Sequence, residues 1–139
     1  MLKTGLLHPE ILRALVEAGH GAQVLIADGN YPLLTRTSAA AHHVYLNLAP
    51  GLVTATEVLR VLIDAIPVEA AHVMGPYSVE EPGIFVEFRR MLPGTELQRL
   101  GRFQFYDIAR SPDLALAIST GEQRIYANIL LTIGVVMPD

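Results

Sequence analysis

The sequence contains no cysteine among its 139 residues. This absence excludes disulfide bonds, thiolate catalysis, and zinc or iron–sulfur sites built on cysteine ligands. No apolar run reaches the roughly 18 residues that a membrane-spanning helix requires. Residues 1–5 show neither a long apolar core nor a cleavage pattern, so we expect no signal peptide and, most simply, a cytoplasmic location.

Charge is also scarce. Charged residues make up 17% of the chain, compared with a typical value of about 25%, and the formal net charge is −4. The single basic doublet, Arg89-Arg90, ends a helical pattern, and no basic stripe accompanies it. Because nucleic-acid binding needs clustered cations, the charge pattern argues against that class of partner.

The remaining composition is rich in apolar residues, and helical and strand patterns alternate along the chain. Hydrophobic residues make up 51%, which suits a monomer or a subunit that hides apolar surface against copies of itself. The patterns predict helices at 9–18, 55–66, 79–92 and 102–109, and strands at 22–27, 44–48, 70–74, 97–100, 114–119 and 129–133. Strands that alternate with helices predict one α/β domain over residues 1–139, a sandwich with a largely parallel sheet.

Capping motifs define two of these helices. Thr54 with Glu57, and Ser78 with Glu81, both match the capping-box spacing at a helix start. In the first helix, Pro9 suits the first turn, and Gly19 ends an apolar face to which Val16 is assigned.

A histidine and an aspartate lie at opposite ends of the first predicted strand. Asp28 follows its carboxyl end, where ligands bind in open α/β sheets, and His20 precedes its start. At about 3.3 Å per residue, such a strand separates its ends by roughly 20 Å. The two side chains therefore meet only if the His20 loop folds back or if another subunit contributes one of them. The alternatives are a capping role for His20 and an Asx turn for Asp28.

Tyr126 and Asn128 place a phenol and an amide just before the last predicted strand. Either they bind a ligand or they cap the loop. The pair Gly19-x-Gly21 lacks a third glycine and precedes a strand, which is the wrong context for a dinucleotide-binding loop.

The other histidines raise the alternative of a metal site. His42 and His43 fall in an expected polar loop, and with His72 and Asp28 they could supply metal ligands. Their spacing matches no known metal-binding motif, so we expect no metal.

Seven short motifs, in order, carry a resemblance to a known family. They are Met1-Leu2-Lys3, Pro9-Glu10-Ile11-Leu12, Gly19-His20-Gly21, Asp28-Gly29-Asn30-Tyr31-Pro32, Gly101-Arg102-Phe103-Gln104-Phe105-Tyr106, Thr120-Gly121-Glu122 and Tyr126-Ala127-Asn128-Ile129-Leu130-Leu131. Their order and spacing, nearly end to end, resemble the RbsD/FucU family of sugar mutarotases, which comprises D-ribose pyranase and L-fucose mutarotase.

The resemblance implies a fold, a reaction and a set of site residues. It implies a three-layer sandwich and a cofactor-independent isomerase that interconverts anomers or ring forms of a free monosaccharide. His20 matches the catalytic acid/base, and Tyr126 is a second proton partner. Asp28, Arg102, Tyr126 and Asn128 match sugar-binding positions. Members assemble into rings, often decamers, with sites between neighbouring subunits.

The choice of sugar rests on fewer positions. Arg102 and the aromatic residues that follow it favour the L-fucose branch, whereas Ala127 is as in the D-ribose branch. Residues 35–52 match neither branch. The alternatives are a D-ribose pyranase, a monosaccharide-binding protein without turnover, a metal-dependent enzyme and a purely structural ring subunit.

Overall fold

Four helices and six strands alternate along the chain in the computed structural model, which describes residues Met1–Asp139. The helices are α1 (Pro9–Ala18), α2 (Ala55–Ile63), α3 (Ile84–Met91) and α4 (Arg102–Ala109). The strands are β1 (Gln23–Ala27), β2 (His42–Tyr45), β3 (Val68–Met74), β4 (Leu97–Leu100), β5 (Leu114–Ser119) and β6 (Ile129–Ile133). They form one sheet in the order β2-β5-β1-β6-β3-β4, in which only β6 runs antiparallel to its neighbours.

Both faces of the sheet are covered, which confirms the three-layer arrangement. Val24 and Ile26 of β1 face the larger core, which also contains the buried side chains of α1, α2 and α3. Leu25 and Ala27 point the other way, into a smaller core with Phe105 of α4. Burial on both faces explains why β1 reads as a continuous apolar run.

The start of α1 follows the sequence pattern, whereas one residue of its apolar face was assigned wrongly. Pro9 is the first helical residue, and Gly19 follows the helix at a φ of 95°. Val16 is 86% exposed. It lies two residues beyond the buried Ala14, about 200° around the helix, and therefore points away from the sheet.

One of the two predicted capping boxes forms. Thr54 Oγ1 accepts from the backbone N–H of Glu57, and the Glu57 carboxylate accepts from the N–H of Thr54. The Ser78 box was wrong, because α3 begins only at Ile84 and Glu81 pairs with Arg89 instead. Pro82 explains the shift, since it disfavours helical backbone at the preceding residue and offers no N–H.

Strand β2 lies two residues earlier than predicted. His42 and His43 belong to the strand and pair with Leu116 and Ala117 of β5, so they are not loop residues. The strands at 97–100, 114–119 and 129–133 match the prediction. No helix combines the length and the apolar character needed to cross a membrane.

The sheet direction defines two edges that matter for function. We call the carboxyl edge the end at which β1 to β5 finish and β6 starts, and the amino edge the opposite end. Asp28 lies at the carboxyl edge, directly after β1, and His20 lies at the amino edge, before it.

Candidate functional site

A polar pocket of about 260 Å³ opens at the carboxyl edge. The ends of β1 and β3, the first turn of α4 and the segment before β6 each contribute to it. Its lining consists of Asp28, Asn30, Tyr31, Met74, Arg102, Tyr106, Ile125, Tyr126 and Asn128. The structure thus brings together all four residues that were predicted to bind sugar, from three separate parts of the chain.

Asp28 and Asn128 form a reciprocal hydrogen-bonded pair at the base of this pocket. The Asp28 N–H donates to Asn128 Oδ1 at 2.8 Å, and Asn128 Nδ2 donates to Asp28 Oδ2 at 3.1 Å. The Asn30 N–H donates to Asp28 Oδ1 at 3.0 Å, so the Asx turn also forms. Each of the pair is only 4% exposed. Burial raises the pKa of Asp28, and the bonds from Asn30, Tyr31 and Asn128 partly offset that rise.

Tyr126 enters the pocket from a strained backbone. Its φ is 60°, the only positive value outside glycine in the chain. A bulky side chain rarely adopts this left-handed conformation, and residues that do so are concentrated at functional sites. Ala127, which follows, is fully buried. The backbone therefore turns sharply so that Tyr126 lines the pocket while its neighbour packs into the core.

An aromatic wall supports the cation of the pocket. Arg102 Nε donates to Tyr106 Oη at 3.1 Å, and the guanidinium lies 5.5 Å from the ring centre of Phe103. Tyr31 packs edge-on against Tyr106, and its hydroxyl donates to the carbonyl of Arg36. Burial raises the pKa of Tyr31, so its hydroxyl stays protonated.

The sequence prediction missed Tyr106, Tyr31 and Met74 as pocket residues. Tyr106 lies one helical turn after Arg102, and that spacing could have identified it. Met74 ends β3 at the same edge as Asp28, but no local signal sets it apart from core methionines.

A buried carboxylate anchors the loop that carries Tyr126. Glu122 is 4% exposed and accepts from Arg124 Nη2 at 2.8 Å and from the Ala55 N–H, at the start of α2, at 3.2 Å. Arg124 also bonds Glu87 at 2.9 Å. Hydrogen bonding from Arg124 lowers the pKa of Glu122 to about 2. The carboxylate also faces the positive end of the α2 dipole, so it stays ionised.

The loop has no room to shift at its glycine. A Cβ at Gly121 would overlap the carbonyl oxygens of Leu52 and Ala49. The N–H of Gly121 donates to the Val53 carbonyl at 2.8 Å. The segment between β5 and β6 is therefore fixed before any ligand arrives.

His20 lies away from this pocket. Its Nε2 is 3.0 Å from Glu69 Oε2, and its side chain is 58% exposed. The five residues of β1, at about 3.3 Å each, place roughly 16 Å of strand between it and Asp28. Its ring therefore bonds Glu69 and not the last carbonyls of α1, and one chain does not bring the two ends together.

The remaining histidines are dispersed. His42 Nε2 is 3.0 Å from Glu17 Oε2, and His43 Nε2 is 2.7 Å from Thr37 Oγ1. Burial lowers the pKa of His72, whose Nδ1 has no hydrogen-bond partner. No three histidine, aspartate or glutamate side chains are arranged to hold a metal ion. The alternative metal set therefore does not assemble.

The fold and the pocket together define an α/β domain with a small-molecule site at the carboxyl edge of its sheet. Sequence comparison gives the particular family. Residues 1–136 match the model of the RbsD / FucU transport protein family, and the chain belongs to this family.

Individual relatives span almost the whole chain. A D-ribose pyranase of Streptomyces avermitilis is 32% identical, over 97% of this chain and 98% of the relative. A fucose mutarotase of Bos taurus is 28% identical, over 96% and 92%. The crystal structure of a Streptococcus pneumoniae fucose mutarotase in complex with L-fucose is 26% identical, with a TM-score of 0.83 over 99% of this chain and all of that one. The resemblance found in the sequence motifs is thereby confirmed.

Proposed function

We propose that the chain is a monosaccharide mutarotase, an isomerase that opens and recloses the ring of a free sugar, with L-fucose or a related sugar as substrate. One observation carries the proposal: Asp28, Arg102, Tyr126 and Asn128 converge on one small polar pocket. The relatives that share this chain's full length are D-ribose pyranases and a fucose mutarotase, which supports the reaction class.

The reaction requires two proton transfers. The hydroxyl on the anomeric carbon loses a proton while the ring oxygen gains one, and closure on the other carbonyl face reverses both steps. General acid–base catalysis of such steps typically contributes 10²- to 10⁴-fold. No redox change occurs, so the protein's own side chains suffice. Histidine suits the exchange because its ordinary pKa, near 6.5, lets it give and take protons at neutral pH.

The pocket residues take distinct roles in this mechanism. The Asp28 carboxylate accepts hydrogen bonds from sugar hydroxyls, and Arg102 and Asn128 donate to others. Tyr126 is the second proton partner. The preformed bonds around Asp28 hold these groups in place, so that the bound sugar keeps its reacting atoms in line.

His20, which donates to the ring oxygen, must come from a neighbouring copy. Within one chain it lies at the other edge of the sheet, and its exposed ring is open to a partner. Two apolar side chains beside the pocket, Phe103 and Ile125, are 67% and 69% exposed, which fits a subunit contact there. We therefore propose a ring-like homo-oligomer, for instance a decamer, with sites between subunits. Sedimentation velocity measures its size.

D-ribose is the second candidate substrate. The relative at 32% identity is a D-ribose pyranase, and Ala127 matches that branch. The guanidinium of Arg102, with several donors in a fixed plane, favours the L-fucose assignment.

Saturation-transfer NMR on L-fucose and D-ribose tests the function. We expect the protein to accelerate exchange between the anomeric proton signals, more for L-fucose than for D-ribose. Measurable sugar binding without any gain in exchange rate would contradict catalysis and favour a sugar-binding protein without turnover. The cytoplasmic location stays a prediction, which cell fractionation can check.

A further inference from the structure

The partner of His20 suggests how its ring is oriented. The ring nitrogen Nε2 lies 3.0 Å from Glu69 Oε2, which is its one side-chain contact. We propose that Glu69 is a positioning residue that accepts from Nε2–H and thereby fixes the tautomer, leaving Nδ1 as the atom that exchanges protons with the sugar. This inference rests on the proposed function, because it assigns a role relative to that reaction.

The backbone places Glu69 there through a β-bulge. In the β3–β6 pairing, Val68 is opposite Ile133 and Ala70 is opposite Thr132, so Glu69 is the extra residue between them. Bulges of this kind commonly redirect a side chain next to a functional site. Without the bulge, Glu69 would occupy a regular position in the ladder.

A glycine next to the bulge makes room for the pair. A Cβ at Gly134 would lie 3.3 Å from Glu69 Cβ and 3.6 Å from its Oε2. The Gly134 N–H donates to Pro67, and the Gly21 N–H donates to Ile133. The end of β6 thus ties both the His20 turn and the Glu69 bulge to the same two residues.

The exposure of the pair argues against a mainly structural role. The side chains of His20 and Glu69 are 58% and 46% exposed, and ion pairs this open contribute little to folding. In catalysis the same contact matters more, because a carboxylate that accepts from one ring nitrogen orients the other. As the C1–O5 bond breaks, its electron pair stays on O5, which takes the Nδ1 proton. C1 becomes the carbonyl carbon as the O1 proton leaves to the second proton partner.

The tautomer itself can be measured without any activity. Long-range ¹H–¹⁵N NMR of the imidazole rings should show neutral His20 protonated at Nε2, with its signals assigned by their loss in His20→Ala. Glu69→Ala should abolish that preference. Glu17→Ala is the matched control, since it removes the carboxylate that contacts His42 at the same 3.0 Å and should change His42 signals alone. A His20 ring protonated at Nδ1, or unaffected by Glu69→Ala, would overturn the proposal.

Kinetics supply the second readout. Glu69→Ala should lower kcat for anomer exchange roughly ten-fold with little change in KM, because the sugar-binding pocket is intact. Glu69→Asp should recover more of the rate than Glu69→Ala, while thermal unfolding stays unchanged for both. An unchanged kcat in Glu69→Ala would refute the positioning role. A wild-type protein without exchange activity would refute the proposed function, and the tautomer measurement would still decide whether Glu69 orients the ring.

Discussion

The two edges of the sheet are built very differently. At the carboxyl edge, Asp28 and Asn128 are each 4% exposed and bonded to one another, on a loop anchored by Glu122. At the amino edge, His20 is 58% exposed and has one side-chain partner. The binding half of the site is therefore complete within one chain, whereas the proton-transfer half is open to solvent.

The difference also separates stability from activity. Burying Asp28 makes its ionised form unfavourable, as its raised pKa records. The exposed pair of His20 and Glu69 carries little such cost. Substitutions at the carboxyl edge should therefore change binding and stability together, and substitutions at the amino edge should change the reaction rate alone.

The largest effect is expected at the amino edge. His20→Ala should reduce the anomer exchange rate by about 10²- to 10⁴-fold, because it removes the proton donor. Its free energy of unfolding should change by less than about 0.5 kcal/mol, since the ring is exposed. Exchange NMR and urea denaturation measure the two quantities. His42→Ala, which removes a histidine with a similar carboxylate contact, should keep the full rate, and an active His20→Ala protein would contradict the assignment.

At the carboxyl edge, Asp28→Asn should lower kcat/KM by roughly ten- to a hundred-fold through lost hydrogen bonds to the sugar. The raised pKa fixes the sign of its stability effect. The contribution of Asp28 is most favourable when it is protonated, and it declines as pH rises from the unfolded pKa, about 3.9, through the folded value. Asp28→Asn should remove that decline, as measured by denaturation across pH. Asp107→Asn, at an exposed carboxylate, should change neither quantity.

A change at Glu122 tests whether the pocket is held in place by its loop. Because the pKa of Glu122 is lowered to about 2 from 4.5, its stabilisation is fully present above pH 4.5 and is lost as pH falls towards 2. Glu122→Gln should reduce the free energy of unfolding by about 2 kcal/mol at pH 7 and flatten its acid dependence. Glu87→Gln, at the exposed partner of Arg124, should change it by less than about 1 kcal/mol. Equal effects of the two changes would contradict the anchoring role.

The smallest effect concerns substrate choice. Arg102→His, the residue of the D-ribose branch, should shift the ratio of kcat/KM for L-fucose over D-ribose by about three- to ten-fold towards D-ribose. The fold should not change, because Arg102 is exposed on the first turn of α4. Parallel exchange measurements on both sugars determine the ratio. A ratio that stays constant would remove Arg102 from sugar discrimination.

Local chemistry predicted much of the fold. The apolar run of β1, the Thr54 capping box and the limits of α4 follow from neighbouring residues, and the structure confirms them. Where a second local rule competed, the prediction was wrong: Pro82 moved the start of α3, and pairing with β5 drew His42 into a strand. The competing signal lay outside the motif in each case.

The site was predictable only in part. Asp28 at a strand end is a local signal, but its bond to Asn128 joins residues 100 positions apart, which periodicity cannot predict. The family resemblance supplied that pairing indirectly. The bulge at Glu69 depends on the register between β3 and β6, so no sequence pattern marked that residue. Long-range register and assembly are the parts that local physics leaves open.

A mixing experiment tests most directly whether two chains complete each site. His20→Ala and Asp28→Asn proteins, each nearly inactive alone, are refolded together and assayed for anomer exchange. If neighbouring copies share each site, about a quarter of the sites in a random mixture combine an intact pocket with an intact His20, and a matching share of activity returns. If mixed oligomers form and the rate stays at the average of the two separate variants, both halves act within one chain and the account is wrong.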